Sequence, residues 1–286
     1  MNRKIGVVGA GLMGAEIALV FALAGNDVLL NDRDEASLEK AMGRLRLILE
    51  KGVTRGFYPE SDIDLALRNI RPVSDLGTFA DRDLVTEAVF EAPDVKAVVL
   101  KALDVVCKSD CIIATNTSTI PISTLAGELP PLRRTRFIGT HYFSPVSRMK
   151  LVEVIPGFDT GDEAVAAVMA LMSEIGKTPI TVKDVAGFAV NRMLHAFIIE
   201  AVRLVEEGVA TPEDLDTACR LGLGHPIGPF ALMDAVTSTL CVQAQEIMQE
   251  SYGERFRPPP LLKQRVRGGF GGGKGKAGWL TRGQQE

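Results

Sequence analysis

Over roughly the first 182 residues, short apolar runs rich in β-branched side chains alternate with longer stretches of helical periodicity. Residues 4–8, 27–31, 69–73, 84–89, 111–115, 136–140, 151–155 and 178–182 read as strands. Residues 36–50, 95–108 and 162–175 read as amphipathic helices between them. Such alternation predicts an α/β fold, a mostly parallel sheet covered on both faces. The runs Ile5-Gly6-Val7-Val8 and Val28-Leu29-Leu30 are apolar without interruption, as strands buried on both faces must be. The linker 142–150 is too short for a helical crossover, which takes about a dozen residues. The strands on either side of it are therefore expected to run antiparallel, which brings Glu153 near His141.

Beyond Gly187 the strand signal ends. Residues 188–207 predict one long helix, stopped at Gly208. Thr211-Pro212-Glu213-Asp214 is a helix start, and a further helix is expected over 230–250. Two domains follow: a Rossmann-type α/β domain at 1–185 and an all-helical domain at 186–286.

Composition narrows the classes. The 286 residues are 46% hydrophobic and 24% charged, which fits a globular protein and not a disordered one. A net charge of −4 speaks against a general nucleic-acid or membrane-surface binder. Arg3 and Lys4 precede an apolar run, but Gly6, Gly9, Gly11, Gly14 and Glu16 interrupt it. We therefore expect neither a secretory leader nor a membrane span. Cys107, Cys111, Cys219 and Cys241 lack metal-ligand spacing. They predict reduced, buried thiols in a cytoplasmic protein, and no metal site.

Candidate chemistry begins at Gly9-Ala10-Gly11-Leu12-Met13-Gly14, which fits G-x-G-x-x-G between a strand and a helix. Gly9 permits the tight turn, Gly11 lets a pyrophosphate approach the backbone, and Gly14 lets helix pack on strand. The helix N-terminus offers free N–H groups to the anion. Asp32, eighteen residues on, would accept from both ribose hydroxyls and repel a 2′-phosphate, so NAD is expected over NADP. Of three histidines, His195 falls within an apolar helix and His225 in a glycine-proline loop. His141 ends a strand, where open α/β sheets bind ligands, and imidazole moves protons near neutrality. Glu153 would orient the ring, and Asn116-Thr117-Ser118 forms a polar turn at a neighbouring strand end.

Together these motifs resemble the L-3-hydroxyacyl-CoA dehydrogenase family across nearly the whole chain. The resemblance is carried by the glycine motif, by Glu87-Ala88-Val89-Phe90-Glu91 with Lys96, and by Thr115-Asn116-Thr117-Ser118. It continues through His141-Tyr142-Phe143-Ser144-Pro145, Lys150-Leu151-Val152-Glu153, Gly187-Phe188-Ala189-Val190-Asn191-Arg192 and Gly222-Leu223-Gly224-His225-Pro226. It implies NAD-dependent oxidation of a 3-hydroxyacyl-CoA, with His141 as general base and Glu153 as its orienting partner. Ser118 and Asn191 would hold the substrate oxygens. Gly9, Gly11, Leu12, Met13, Gly14, Asp32, Glu91, Lys96 and Asn116 would contact NAD, and Lys51 and Arg55 the coenzyme A phosphates. The helical domain would carry a homodimer.

Some positions depart from the family pattern. Pro130-Pro131 is an apparent insertion, Thr237 stands where the family has glycine, and the aromatic-ended tail is altered to Gly273-Lys274-Gly275-Lys276-Ala277-Gly278-Trp279-Leu280. These leave the acyl group open. A same-scaffold enzyme acting on a sugar acid, carnitine or pyridine alcohol stays open too, as does a catalytically silent NAD-binding protein. Residues 255–282 hold eight basic residues and no acidic one, leaving 24 basic and 36 acidic elsewhere. Such a tail is expected to dock on a dimer partner, to approach the anionic coenzyme, or to stay solvated.

Overall fold

The computed structural model describes residues 3–281. The chain separates into two compact units, Met1–Val185 and Ala186–Glu286.

The first unit is one eight-stranded sheet with flanking helices. In chain order its elements are β1 (Lys4–Val8), α1 (Leu12–Leu23), β2 (Asp27–Asn31), α2 (Glu35–Thr54), α3 (Ser61–Asn69), β3 (Ile70–Val73) and β4 (Leu84–Glu87). There follow α4 (Pro93–Val106), β5 (Ile112–Thr115), two short helices α5 (Ile122–Ala126) and α6 (Pro131–Arg134), and β6 (Phe137–Tyr142). β7 (Leu151–Pro156), α7 (Asp162–Glu174) and β8 (Thr178–Thr181) complete it. The strand order is β3-β2-β1-β4-β5-β6-β7-β8. Every neighbouring pair is parallel except β6–β7.

The core lies between sheet and helices, where Ile5, Val7, Val28, Leu30, Ile138 and Val154 are buried with Ile17, Leu19 and Phe21 of α1. Chain order reverses around β1, with β2 on one side and β4 on the other. Open α/β sheets bind ligands beyond such a switch point, at the carboxyl ends of the strands.

The second unit is helical: α8 (Val190–Glu206), α9 (Pro212–Gly222), α10 (Pro229–Val236), α11 (Ser238–Tyr252) and α12 (Pro260–Arg267). Ile198 and Val202 of α8 pack with Phe230, Met233, Leu262 and Trp279. Two expectations need correction here. The helix expected over 230–250 is two helices, because Thr237 adopts φ +84° between α10 and α11. The basic tail is also folded onto its own unit. Asp234 accepts backbone N–H bonds from Trp279 (2.7 Å), Leu280 (2.9 Å) and Thr281 (3.1 Å). Trp279 packs on Phe230, and Lys263 pairs with Glu246. Arg282, the last basic residue of that tail, lies outside the described residues.

Candidate active site

The glycine loop follows β1 directly. Gly9 has φ +101°, and a Cβ there would stand 2.7 Å from the Ala88 carbonyl oxygen. A Cβ on Gly14 would collide with the Gly9 carbonyl at 1.9 Å, so α1 can approach β1 only with glycine in that place. Gly11 differs: beyond its own residue and its chain neighbours, nothing lies within 4 Å of where its Cβ would be. Its missing side chain therefore leaves space on the open side of the loop. Gly11 is the N-cap of α1 and makes no side-chain cap, so the N–H groups of the first turn remain for an external anion. Leu12, exposed, and Met13, half-buried, border that opening. Asp32, just past β2, accepts from Ala10 N–H at 2.9 Å, which fastens its carboxylate to the loop. Open room at Gly11, uncapped N–H groups and an adjacent carboxylate all fit a dinucleotide.

At the ends of β4 and β5 the chain builds a carboxylate lattice. Glu91, in the turn after β4, accepts from the Thr117 hydroxyl (2.7 Å) and from the backbone N–H of Ser118 (2.8 Å) and Thr119 (2.9 Å). Partial burial works to raise the Glu91 carboxyl. Lys96, the Thr117 hydroxyl and the two N–H groups outweigh it and hold the group below the usual carboxylate range. Asn116 accepts from Tyr142 N–H at 3.0 Å and so ties the end of β5 to the end of β6.

Lys96 joins this lattice from α4. Its side chain is fully buried, with the ammonium 2.8 Å from Glu87 and 3.5 Å from Glu91. Glu91, its second partner, is partly exposed. Glu87 was overlooked as its partner. A carboxylate inside an otherwise apolar strand was the available signal, because a buried charge requires a counter-charge.

The antiparallel β6–β7 pair sets His141 directly opposite Glu153. His141 Nδ1 lies 2.8 Å from Glu153 Oε2, and His141 Nε2 lies 3.0 Å from Ser118 Oγ. Glu153 is 0% exposed and His141 4%. An ionised carboxylate can only accept, so Nδ1 carries the proton of the neutral ring and Nε2 presents a lone pair. The Ser118 hydroxyl then donates to that lone pair. Phe143 stands edge-on to the imidazole at 4.6 Å and limits its tilt. The result is a proton acceptor of fixed tautomer, held between a carboxylate and a hydroxyl.

Lys51 and Arg55 are exposed at the end of α2. Asn191, in the helical unit, is half-buried in the first turn of α8. His195 is buried in α8, and His225 meets Phe197 edge-on. The four cysteines are buried and free. Among the described residues there is no group of metal-ligating side chains. None of their helices is long and apolar enough to cross a membrane.

Comparison with known proteins gives this geometry a lineage. Residues 4–185 match the family model "3-hydroxyacyl-CoA dehydrogenase, NAD binding domain", and residues 187–282 match "3-hydroxyacyl-CoA dehydrogenase, C-terminal domain". A probable 3-hydroxybutyryl-CoA dehydrogenase of Deinococcus radiodurans is 39% identical over 277 residues, covering 96% of this chain and 99% of the relative. The solved structure of an (S)-3-hydroxybutyryl-CoA dehydrogenase from Ralstonia eutropha superposes with a TM-score of 0.93 at 36% identity, over 99% of this chain and 100% of that one. A 5-formyl-3-hydroxy-2-methylpyridine 4-carboxylic acid 5-dehydrogenase shares the scaffold less closely. Its TM-score is 0.78 at 32% identity, over 97% of this chain and 90% of that one. The chain belongs to the 3-hydroxyacyl-CoA dehydrogenase family.

Proposed function

We propose that the protein oxidises a short L-3-hydroxyacyl-CoA, of 3-hydroxybutyryl size, to the 3-oxoacyl-CoA with NAD, and that His141 is the general base. The observation that carries the base assignment is the hydrogen-bonded line Glu153–His141–Ser118 at the strand ends. Bound NAD supplies the hydride acceptor. His141 Nε2 takes the proton of the substrate hydroxyl. Glu153 holds the ring in the Nδ1–H tautomer and stabilises the imidazolium that forms. The Ser118 hydroxyl turns from Nε2 to donate to the substrate oxygen, which frees the Nε2 lone pair for the substrate proton. Asn191 holds the thioester carbonyl, and Lys51 and Arg55 meet the coenzyme A phosphates. Asp32, the glycine loop and Leu12–Met13 hold the dinucleotide, with Glu91, Lys96 and Asn116 bordering it.

The short acyl group is supported by relatives of that name at 36–39% identity over nearly the full chain. The non-CoA reading has the more distant pyridine-acid enzyme as its precedent. Exposed Met193, Leu221 and Leu223 on the helical unit support a homodimer through that unit. Buried free thiols suit a reducing cytoplasm.

The test is NADH oxidation with acetoacetyl-CoA, alongside free acetoacetate and a pyridine aldehyde. Turnover on the thioester alone is expected. Turnover confined to the two substrates without CoA would refute the CoA reading. His141→Gln is expected to lower kcat by about 10²–10⁴-fold, with NADH affinity unchanged by fluorescence titration. Retained turnover would remove His141 from the base role.

A further inference from the structure

The segment 143–150 joins the two strands that carry His141 and Glu153, and it is held from three sides. Glu16 on α1 is 4% exposed, although it is charged. Its Oε2 accepts from both the Ser147 backbone N–H and the Ser147 hydroxyl, each at 2.9 Å across 131 residues. Lys177, just before β8, donates from Nζ to the carbonyls of Val146 and Met149 (2.8 Å for the latter). The Tyr58 hydroxyl donates to the Ser147 carbonyl at 3.3 Å, and the Arg148 guanidinium lies on the Phe57 ring at 3.2 Å. The Tyr58 ring fills the space beside Gly52 of α2, where a Cβ would come within 2.3 Å of it.

These contacts share a logic. Ser147 has every polar atom engaged: N–H and hydroxyl toward α1, carbonyl toward Tyr58. α1 is the helix whose N-terminus closes the glycine loop. α2 carries Lys51 and ends just before Arg55. A buried carboxylate and a half-buried ammonium are both costly to desolvate, and a loop held only for stability is more cheaply packed with apolar groups. Burial pulls the Lys177 pKa below its usual range, and Glu16 opposes that pull, so the two charges sense one another across the loop.

We propose that Glu16, acting on Ser147 with Lys177 as counterpart, is a positioning residue for the reaction. It locks the loop between β6 and β7 to the dinucleotide helix, so that His141 and Glu153 keep their alignment relative to the glycine loop. This rests on the dehydrogenase reading of the His141–Glu153 pair. Glu16 touches no reacting atom. Its effect passes through the loop, and misplacement of a reacting group by about 1 Å is enough to cost ~10²-fold in rate.

The experiment uses Glu16→Ala, Glu16→Gln and Lys177→Met in the full chain, with folding checked by circular dichroism. Glutamine keeps an acceptor for Ser147 N–H, whereas alanine leaves that N–H unpaired. In NADH oxidation with acetoacetyl-CoA, Glu16→Ala is expected to lower kcat about 10- to 100-fold, with NADH Kd within about twofold of wild type. Glu16→Gln is expected to recover most of the loss. A second readout is independent of turnover. The chain has three histidines, so ¹⁵N-histidine labelling resolves each imidazole. Glu16→Ala and Lys177→Met are expected to weaken or shift the His141 Nδ1–H resonance and leave those of His195 and His225 in place. An unchanged His141 resonance in folded Glu16→Ala overturns the proposal, and so does a shift of all three histidines together. Absence of wild-type turnover on acetoacetyl-CoA would count against the dehydrogenase reading instead, and the imidazole measurement would still decide the clamp.

Discussion

Lys96 and Glu87 meet where neither side chain touches solvent, and the Val89 N–H (2.7 Å) and the Thr115 hydroxyl (2.6 Å) donate to the same carboxylate. Removing one member of such a pair leaves the other charge buried and unpaired, which typically costs about 3–5 kcal/mol. Lys96→Met is therefore expected to lose stability on that scale in urea denaturation. Lys96→Met with Glu87→Met is expected to recover a large part of it. A loss below about 1 kcal/mol in the single variant would mean that the pair is hydrated in solution. At this scale the sequence was readable where local chemistry was enough. Gly9, Gly11 and Gly14 each perform a distinguishable task, and His141 stood out by its place at a strand end. It was not readable where the partner is remote. Glu16 registered only as an interruption of an apolar run, because nothing near it in the chain points to Ser147.

Among the elements, the hairpin of β6 and β7 was the most legible. A nine-residue linker excludes a crossover helix, so antiparallel pairing and the His141–Glu153 juxtaposition followed from length alone. The break between α10 and α11 was hidden for the opposite reason. Apolar periodicity runs on through 230–250, and only a dihedral angle interrupts it. Thr237 is β-branched at φ +84°, a conformation that favours glycine and costs other residues about 1–3 kcal/mol. Its hydroxyl gives back a weak cap on Leu240 N–H at 3.4 Å. Replacing a cap by glycine costs only a few tenths of a kcal/mol. Thr237→Gly is therefore expected to raise stability by about 1 kcal/mol, seen as a higher urea midpoint at an unchanged slope. A lower midpoint would show that the threonine cap outweighs the backbone strain.

At the scale of the whole molecule, the net charge of −4 averages an acidic body and a basic tail. Asp234 organises that tail inside its own unit, so the charge asymmetry belongs to the folded surface and not to a free arm. The helical unit also holds a charge-sensitive point, His195. Its Nδ1 has no hydrogen-bond partner among the described residues, and burial pushes its pKa down to about 4. In the unfolded chain a histidine takes up its proton near pH 6.5. Between about pH 6.5 and 4 the unfolded state therefore binds a proton that the folded state refuses, and stability falls as the pH drops through that window. His195→Leu removes this linkage and leaves the carboxylates, which titrate in both proteins, to cancel in the difference. The stability difference between wild type and His195→Leu is expected to move by about 2 kcal/mol between pH 7 and pH 5, with the variant gaining on the acid side. Unfolding free energies from urea titrations at the two pH values measure it. Parallel curves would mean that His195 is solvated or paired in solution, and the acid sensitivity of the unit would then lie elsewhere.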